Sequence, residues 1–226
     1  MNENGVMLRG VSVRYGRRLA LHDVSGSFAP GSLTAVVGPN GAGKTTLLGA
    51  IAGVLRPTAG QIECLARRAG RLAYLPQVST IDRFYPITVR ELITTGAWRQ
   101  FGAFRRPAAA VRERVAAAAD TVGLGKRLER RLDALSVGEL QRALFARVIL
   151  WDAAVILLDE PFAPVDSRTV PVLLAQLGRW HAEGRTVIAV LHDLELVRAW
   201  FPETLVLDRV CRAWGPTDAA LGMMAA

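Results

Sequence analysis

The nine residues "GPNGAGKTT", Gly38 to Thr46, stand between the apolar run "LTAVV" and the segment "LLGAIAGVL". A strand that hands over to a helix needs one residue with positive φ and one capping side chain. Three glycines, a proline and a lysine go well beyond that need. Gly38, Gly43, Lys44 and Thr45 fit G-x-x-x-x-G-K-[ST] in full. In that pattern the glycines let backbone N–H groups turn inward around phosphates, the lysine reaches the terminal ones, and the threonine hydroxyl can ligate Mg²⁺. The helix that begins there adds its positive N-terminal end. The cradle runs through Gly38, Pro39, Asn40, Gly41, Ala42, Gly43, Lys44, Thr45 and Thr46. Its flanking strand and helix separate it from an ordinary glycine-rich turn.

The rest of the chain has room for such a site. Its 226 residues and 24.4 kDa suit one sizeable α/β domain, and 51% hydrophobic with 21% charged residues reads as globular. The longest apolar stretch, "ALFARVILWDAAVILL", is broken by Arg147 and Asp152. It falls short of the roughly 20 apolar residues that span a bilayer. The start "MNENGVMLRG" lacks a basic region followed by an apolar core, so the expected location is the cytoplasm. Cys64 and Cys211 form no CxxC pair, and His22, His181 and His192 are scattered, so no zinc site or disulfide framework follows.

Charge adds one clue. The net charge is +8, and residues 99–131 carry nine Arg or Lys against Glu113, Asp120 and Glu129. A run of this kind serves nucleic acid, an anionic membrane surface or simply a solvated face. Lys44 and Lys126 are the only lysines beside 26 arginines. Where this sequence wants a surface cation it uses arginine, so Lys44 is a choice of chemistry.

Periodicity gives the architecture. "VMLRGVSVRYG" and "LALHDVSGSFAPG" alternate as two half-buried antiparallel strands, and "LTAVV" is a strand covered on both faces. A helix from about 43 to 54 follows, then strands "QIECL" and "RLAYL". From Thr88 to Leu150 the pattern is mainly helical; beyond it strands "AVILL", "TVIAVL" and "ETLVLD" alternate with helices near 168–182 and 194–200. That order predicts a parallel sheet interrupted by a helical insertion and preceded by a small antiparallel layer.

Beside the loop after "LTAVV", three further strand exits carry polar residues. "AVILLDE" sets Asp159 and Glu160 beyond a buried strand, where ligands bind in open parallel sheets. An acidic helix cap is the plainer reading of the pair alone. "YLPQ" ends in Gln77 and "VLHD" contains His192; either is, by itself, a loop or structural residue. "LSVGELQR" contains a capping box, Ser136-x-x-Glu139, with Val137, Leu140, Leu144 and Val148 spaced along one helical face. The same exposed N–H groups can hold an anion brought by another molecule, and both readings stand together.

Taken in order, these parts resemble the nucleotide-binding subunit of an ABC transporter over nearly the whole chain. "GPNGAGKTT" is similar to the Walker A loop, Gln77 falls at the Q-loop, and "LSVGE" resembles the LSGGQ signature. "ILLDE" matches Walker B, Asp166 in "PVD" stands at the D-loop, and His192 takes the switch-histidine position. Tyr15 in "RYG" sits where the family stacks a ring on adenine. Three departures stand out. Val137 replaces the first signature glycine, Glu139 puts a carboxylate where the family has glutamine, and Pro164 is unusual for a D-loop.

The resemblance implies an α/β P-loop NTPase fold with a parallel-sheet core, a small antiparallel β layer and a helical subdomain inserted at approximately 84–150, one ABC domain over 1–226. It implies ATP hydrolysis with Mg²⁺, held by Thr45, Gln77 and Asp159. Glu160 would serve as general base, with His192, Gln77 and Lys44 acting on the reacting phosphate. Tyr15, the Walker A residues, Ser136, Gly138, Glu139 and Asp166 would bind nucleotide. Implied partners are a second copy in a head-to-tail dimer, transmembrane permease subunits on the inner face of the membrane and, indirectly, a substrate-binding protein, with no nucleic acid. "FYPITVRELITTGAW" resembles the ATPases of zinc and manganese importers, so the expected cargo is a divalent metal, zinc first and manganese or iron next. Importers of haem, siderophore or cobalamin, and soluble non-transport ABC ATPases, are the alternatives.

Overall fold

Gly10 sets the first strand's geometry. β1 (Val6–Tyr15) buries Val6 and Leu8 and then Val11 and Val13, so the inward set changes parity across a bulge at Gly10, whose φ is 60°. The extra residue re-aims the strand and keeps both halves of its apolar face on the core. β2 (Arg18–Phe28) returns antiparallel to it through the turn at Gly16 and Arg17, and β4 (Ala59–Glu63) pairs with the other edge of β1. The structure, a computed structural model, describes residues 4–101 and 107–224.

The second sheet has the order β5-β6-β7-β3-β8-β9. β3 (Leu33–Val37), β5 (Leu72–Leu75), β6 (Val155–Asp159), β7 (Thr186–Val190) and β8 (Glu203–Asp208) run parallel, and β9 (Val210–Pro216) closes one edge antiparallel to β8. β3, β6 and β7 are buried at every residue, as a parallel sheet covered on both faces requires. β9 is absent from the sequence reading above.

These sheets belong to one of two compact units, made of Met1–Pro76, Ala153–Glu160 and Leu177–Ala226. α1 (Lys44–Ala52) is its central helix: Leu47, Leu48 and Ile51 share a core with Leu8 and Leu21 of the small sheet and Val36 and Leu157 of the large one. α1 ends at Gly53, in the left-handed region with φ 81°. α2 (Leu65–Arg68) lies between β4 and β5 in the chain.

The other unit is made of Gln77–Asp152 and Pro161–Gln176. It contains α3 (Val89–Thr94), α4 (Trp98–Phe101), α5 (Ala109–Thr121) and α6 (Val137–Leu150). The sequence places the insertion at about 84–150, whereas this unit begins at Gln77 and also takes in the residues after Glu160. In α6, Leu140, Leu144 and Val148 are buried as the periodicity predicts, but Val137 is 48% exposed. As the first residue of the helix it leans back over the preceding turn and off the packed face. α7 (Val170–Ala182), α8 (Leu194–Trp200) and α9 (Thr217–Gly222) complete the chain. No helix among the described residues is long and apolar enough to cross a membrane.

Candidate active site

The loop after β3 is held by two glycines that tolerate no side chain. A Cβ on Gly38 would lie 1.9 Å from the Leu207 carbonyl oxygen, and one on Gly43 would lie 2.5 Å from that of Ala20. Both adopt positive φ, 147° and 94°. The loop is thus pinned between β8 and β2 with its backbone turned toward α1. Ala42, also buried, accepts the Arg209 amide through its carbonyl at 2.8 Å. Gly43 caps α1 without a side-chain hydrogen bond, and no acidic residue stands in the first turn. The helix therefore presents unpaired N–H groups and a positive end to an anion.

Lys44 reaches back over the loop. Its Nζ donates to the carbonyls of Gly38 at 2.7 Å and Pro39 at 3.0 Å, and the residue is only 6% exposed. Burial lowers its pKa, while the charges of Glu160 and Asp159 act in the opposite sense. Asn40, Gly41 and Thr45 are exposed along the loop, and Thr46 is buried beneath it. The Tyr15 hydroxyl, at the end of β1, lies 3.5 Å from Thr46 Oγ1 while the tyrosine stays half exposed.

Two acidic residues arrive from β6. Asp159 has no exposed surface, and neither carboxylate oxygen has a partner in hydrogen-bond geometry. Burial raises its pKa; the nearby Thr45 hydroxyl, Lys44 and His192 favour the charged form and Glu160 opposes it. An orphaned, buried carboxylate is costly unless a cation meets it. Asp159 with Thr45 is an all-oxygen set of the kind hard divalent cations take, so these residues fit Mg²⁺.

Glu160 follows with φ 51°, rare for a side chain of this size. Its amide donates to Val190 O at 3.2 Å, and its Oε1 lies 2.7 Å from His192 Nε2. The register explains the meeting: Asp159 stands opposite Val190, so the residues just beyond β6 and β7 emerge side by side. Lys44, Thr45, Asp159, Glu160, His192 and Tyr15 thus gather in one unit. Tyr74 joins them unpredicted. Burial, then Asp159 and Tyr15, push its phenol up to about 12.

The remaining predicted residues lie in the second unit. Gln77 accepts the Ser79 hydroxyl through Oε1 at 3.2 Å. Ser136 caps α6 in a closed box: its Oγ accepts the Glu139 amide at 3.2 Å, and Glu139 Oε2 accepts the Ser136 amide at 2.9 Å. Glu139 Oε1 is paired with Arg127. A Cβ on Gly138 would fall 2.5 Å from the Pro164 carbonyl oxygen, so the start of α6 and the segment around Pro164 touch at this glycine. Asp166 accepts the Thr169 amide and hydroxyl, which depress its pKa. Gln141 is fully buried, and its Nε2 donates to the Pro161 carbonyl at 3.2 Å, just after Glu160 in the chain. Sequence reading missed Gln141 and Arg127, whose roles depend on contacts 20 and 12 residues away in the chain.

Known proteins bear on this arrangement. Residues 21–163 match the family described as ABC transporter. The chain is 34% identical over 94% of its length to the manganese transport system ATP-binding protein MntA of Synechocystis, covering 85% of that protein. It is 34% identical over 90% of its length to the zinc transport system ATP-binding protein TroB of Treponema pallidum, covering 78% of it. Among solved structures, a dimeric ATP-binding cassette with ADP and phosphate superposes with a TM-score of 0.83, at 21% identity, over 94% of this chain and 98% of that one. A fold of this order, a phosphate loop pinned at two glycines and relatives of this similarity place the chain in one family: it belongs to the ABC transporter family, as an ATP-binding cassette.

Proposed function

We propose that this chain hydrolyses ATP to drive an importer of divalent metal ions, as a peripheral subunit on transmembrane permeases. The observation that carries hydrolysis is the joint placement of Lys44, Asp159, Glu160 and His192 at the carboxyl ends of β3, β6 and β7. The names borne by the relatives carry the metal. Manganese is named for several of them and zinc for one, so manganese stands beside zinc as the cargo to test first.

In this reading the whole chain is one ATP-binding domain. The loop amides and the α1 N-terminus bind the phosphates. Lys44 trades its carbonyl partners for phosphate oxygens, and Tyr15 offers its half-exposed ring to the base. Thr45 and Asp159 would hold Mg²⁺, and the ion would neutralise charge developing on the phosphates. Glu160 takes a proton from the attacking water as the water oxygen bonds to the γ-phosphorus; the bond to the bridging oxygen breaks, leaving ADP and phosphate. His192 orients Glu160 and the γ-phosphate. Ser136 and Gly138, with Glu139 and Asp166 nearby, belong to the surface that closes on the nucleotide of a second copy.

Glu160→Gln tests the hydrolytic part. Turnover should fall by about 10² to 10⁴-fold with ATP binding retained; turnover near that of the parent ends the assignment. Cellular metal content tests the cargo. A deletion strain under metal limitation should lose manganese or zinc and recover it with the parent gene, but not with Glu160→Gln. Unchanged metal content removes the metal reading and leaves the ATPase.

A further inference from the structure

The carboxylate of Glu139 occupies the third position of α6, one turn inside a helix end that, on the reading above, faces the phosphates of a second copy's nucleotide. A bare carboxylate there would oppose a polyanion. The structure shows how its charge is handled. Oε2 accepts the Ser136 amide at 2.9 Å, and Oε1 pairs with the Arg127 guanidinium, which rises from the 3₁₀ turn Gly125–Arg127. Arg142, one turn further along α6, adds a second positive charge on the same side and donates to the Val122 carbonyl at 3.0 Å. The Ser136 oxygen accepts the Glu139 amide at 3.2 Å, which closes the box from the serine side.

We propose that Arg127 is a positioning residue for the signature helix. By pairing with Glu139 it cancels the charge of that carboxylate, keeps the capping box closed, and lets the Ser136 hydroxyl and the α6 N-terminus face an incoming nucleoside triphosphate without repulsion. The proposal rests on the ATPase reading above and deepens it. Its chemistry is specific: the arginine is needed because residue 139 is charged, and a neutral glutamine can close the same box without help. Arg127 is therefore dispensable once Glu139 is neutral.

Charge rescue tests this in the full chain by measuring kcat and KM for ATP in four proteins: parent, Arg127→Met, Glu139→Gln and the double variant. Arg127→Met should lower kcat/KM by about tenfold, the effect of one uncompensated like charge near the phosphates. Glu139→Gln sets the reference rate for a neutral capping box, whatever that rate is relative to the parent. The double variant should return to the Glu139→Gln level, and the loss in Arg127→Met should shrink as salt is raised. Arg127→Gln replaces Arg127→Met if the latter melts early, because it removes the same charge and keeps a polar side chain. A double variant as slow as Arg127→Met overturns the proposal, since a packing role for Arg127 is indifferent to the charge at 139. An Arg127→Met protein as fast as the parent overturns it as well. Absence of turnover in the parent is a different result, and it counts against the ATPase reading.

Discussion

Glu160 Oε1 and His192 Nε2 stand 2.7 Å apart, each delivered by the first residues beyond a fully buried strand. The contact fixes the rotamer of the carboxylate while the imidazole keeps 44% of its surface open. His192→Ala should reduce kcat by about 10²-fold. Such an exposed ring contributes little to folding, so stability should change by no more than about 0.5 kcal/mol. Parallel ATPase and urea-unfolding measurements check both. A large stability loss would make the histidine a structural element.

Lys44 holds its own loop through Gly38 and Pro39. Lys44→Met removes a buried ammonium together with its charge-assisted contacts to a ligand. ATP affinity should weaken by at least about tenfold, read from titration with a fluorescent nucleotide. Affinity equal to the parent's would mean that the loop amides alone suffice.

Asp159 carries two shielded carboxylate oxygens that no group meets in hydrogen-bond geometry, with the Thr45 hydroxyl nearby. Asp159→Asn removes a buried charge, so the ligand-free protein should melt higher, by about 2–4 °C for each kcal/mol relieved in a chain of this size. The dependence of ATP turnover on Mg²⁺ should collapse in the same variant. Calorimetry and a Mg²⁺ titration give the two readings, and a lower melting temperature would show that Asp159 is satisfied in solution.

Gly138 lies against the Pro164 carbonyl. Gly138→Ala forces a methyl group to within 2.5 Å of that oxygen, so α6 or the Pro164 segment must shift, at a cost of about 1–3 kcal/mol. Denaturant unfolding reports the cost. Stability equal to the parent's would show that the Pro164 segment yields freely.

The capping box on α6 predicts a pH signature. Burial acts to raise the Glu139 pKa, but the Ser136 amide, Arg127, the Ser136 hydroxyl and Arg142 outweigh it and hold the group low. A depressed carboxylate stabilises the fold above its unfolded value, 4.5, and that gain disappears as pH falls through the lower native value. The parent should therefore exceed Glu139→Gln in stability at pH 7, by no more than about 1 kcal/mol given the exposed Arg127, and the gap should close on acidification. A gap that stays constant with pH would remove the charge from the account.

Local signals made much of this legible. "LTAVV" followed by "GPNGAGKTT" encodes strand, loop and helix in consecutive residues, and the buried strands before Asp159 and His192 announce their own exits. Contacts distant in sequence did not show. β9 was missed because "VCRAWGP" mixes small, charged and aromatic residues, and its place is set by Trp214 packing on Phe28, with ring centroids 4.6 Å apart, beside Gly26. Val137 was put on the buried face by periodicity alone, which does not register that a first-turn residue overhangs the chain before it. Gly138 reads in sequence as an anion contact, and only the fold reveals the Pro164 carbonyl against it.

The left-handed backbone of Glu160 has an evolutionary consequence. A residue with a long side chain is held at φ 51° against its preference, at a cost of order 1–3 kcal/mol. Glycine and asparagine occupy that region more readily. In a gene copy released from the need to hydrolyse ATP, position 160 should drift toward one of them, and the chain should gain stability as it loses activity. On the role proposed for Glu160, a related chain with glycine or asparagine here is expected to bind ATP without turning it over, which an ATPase assay of such a chain checks.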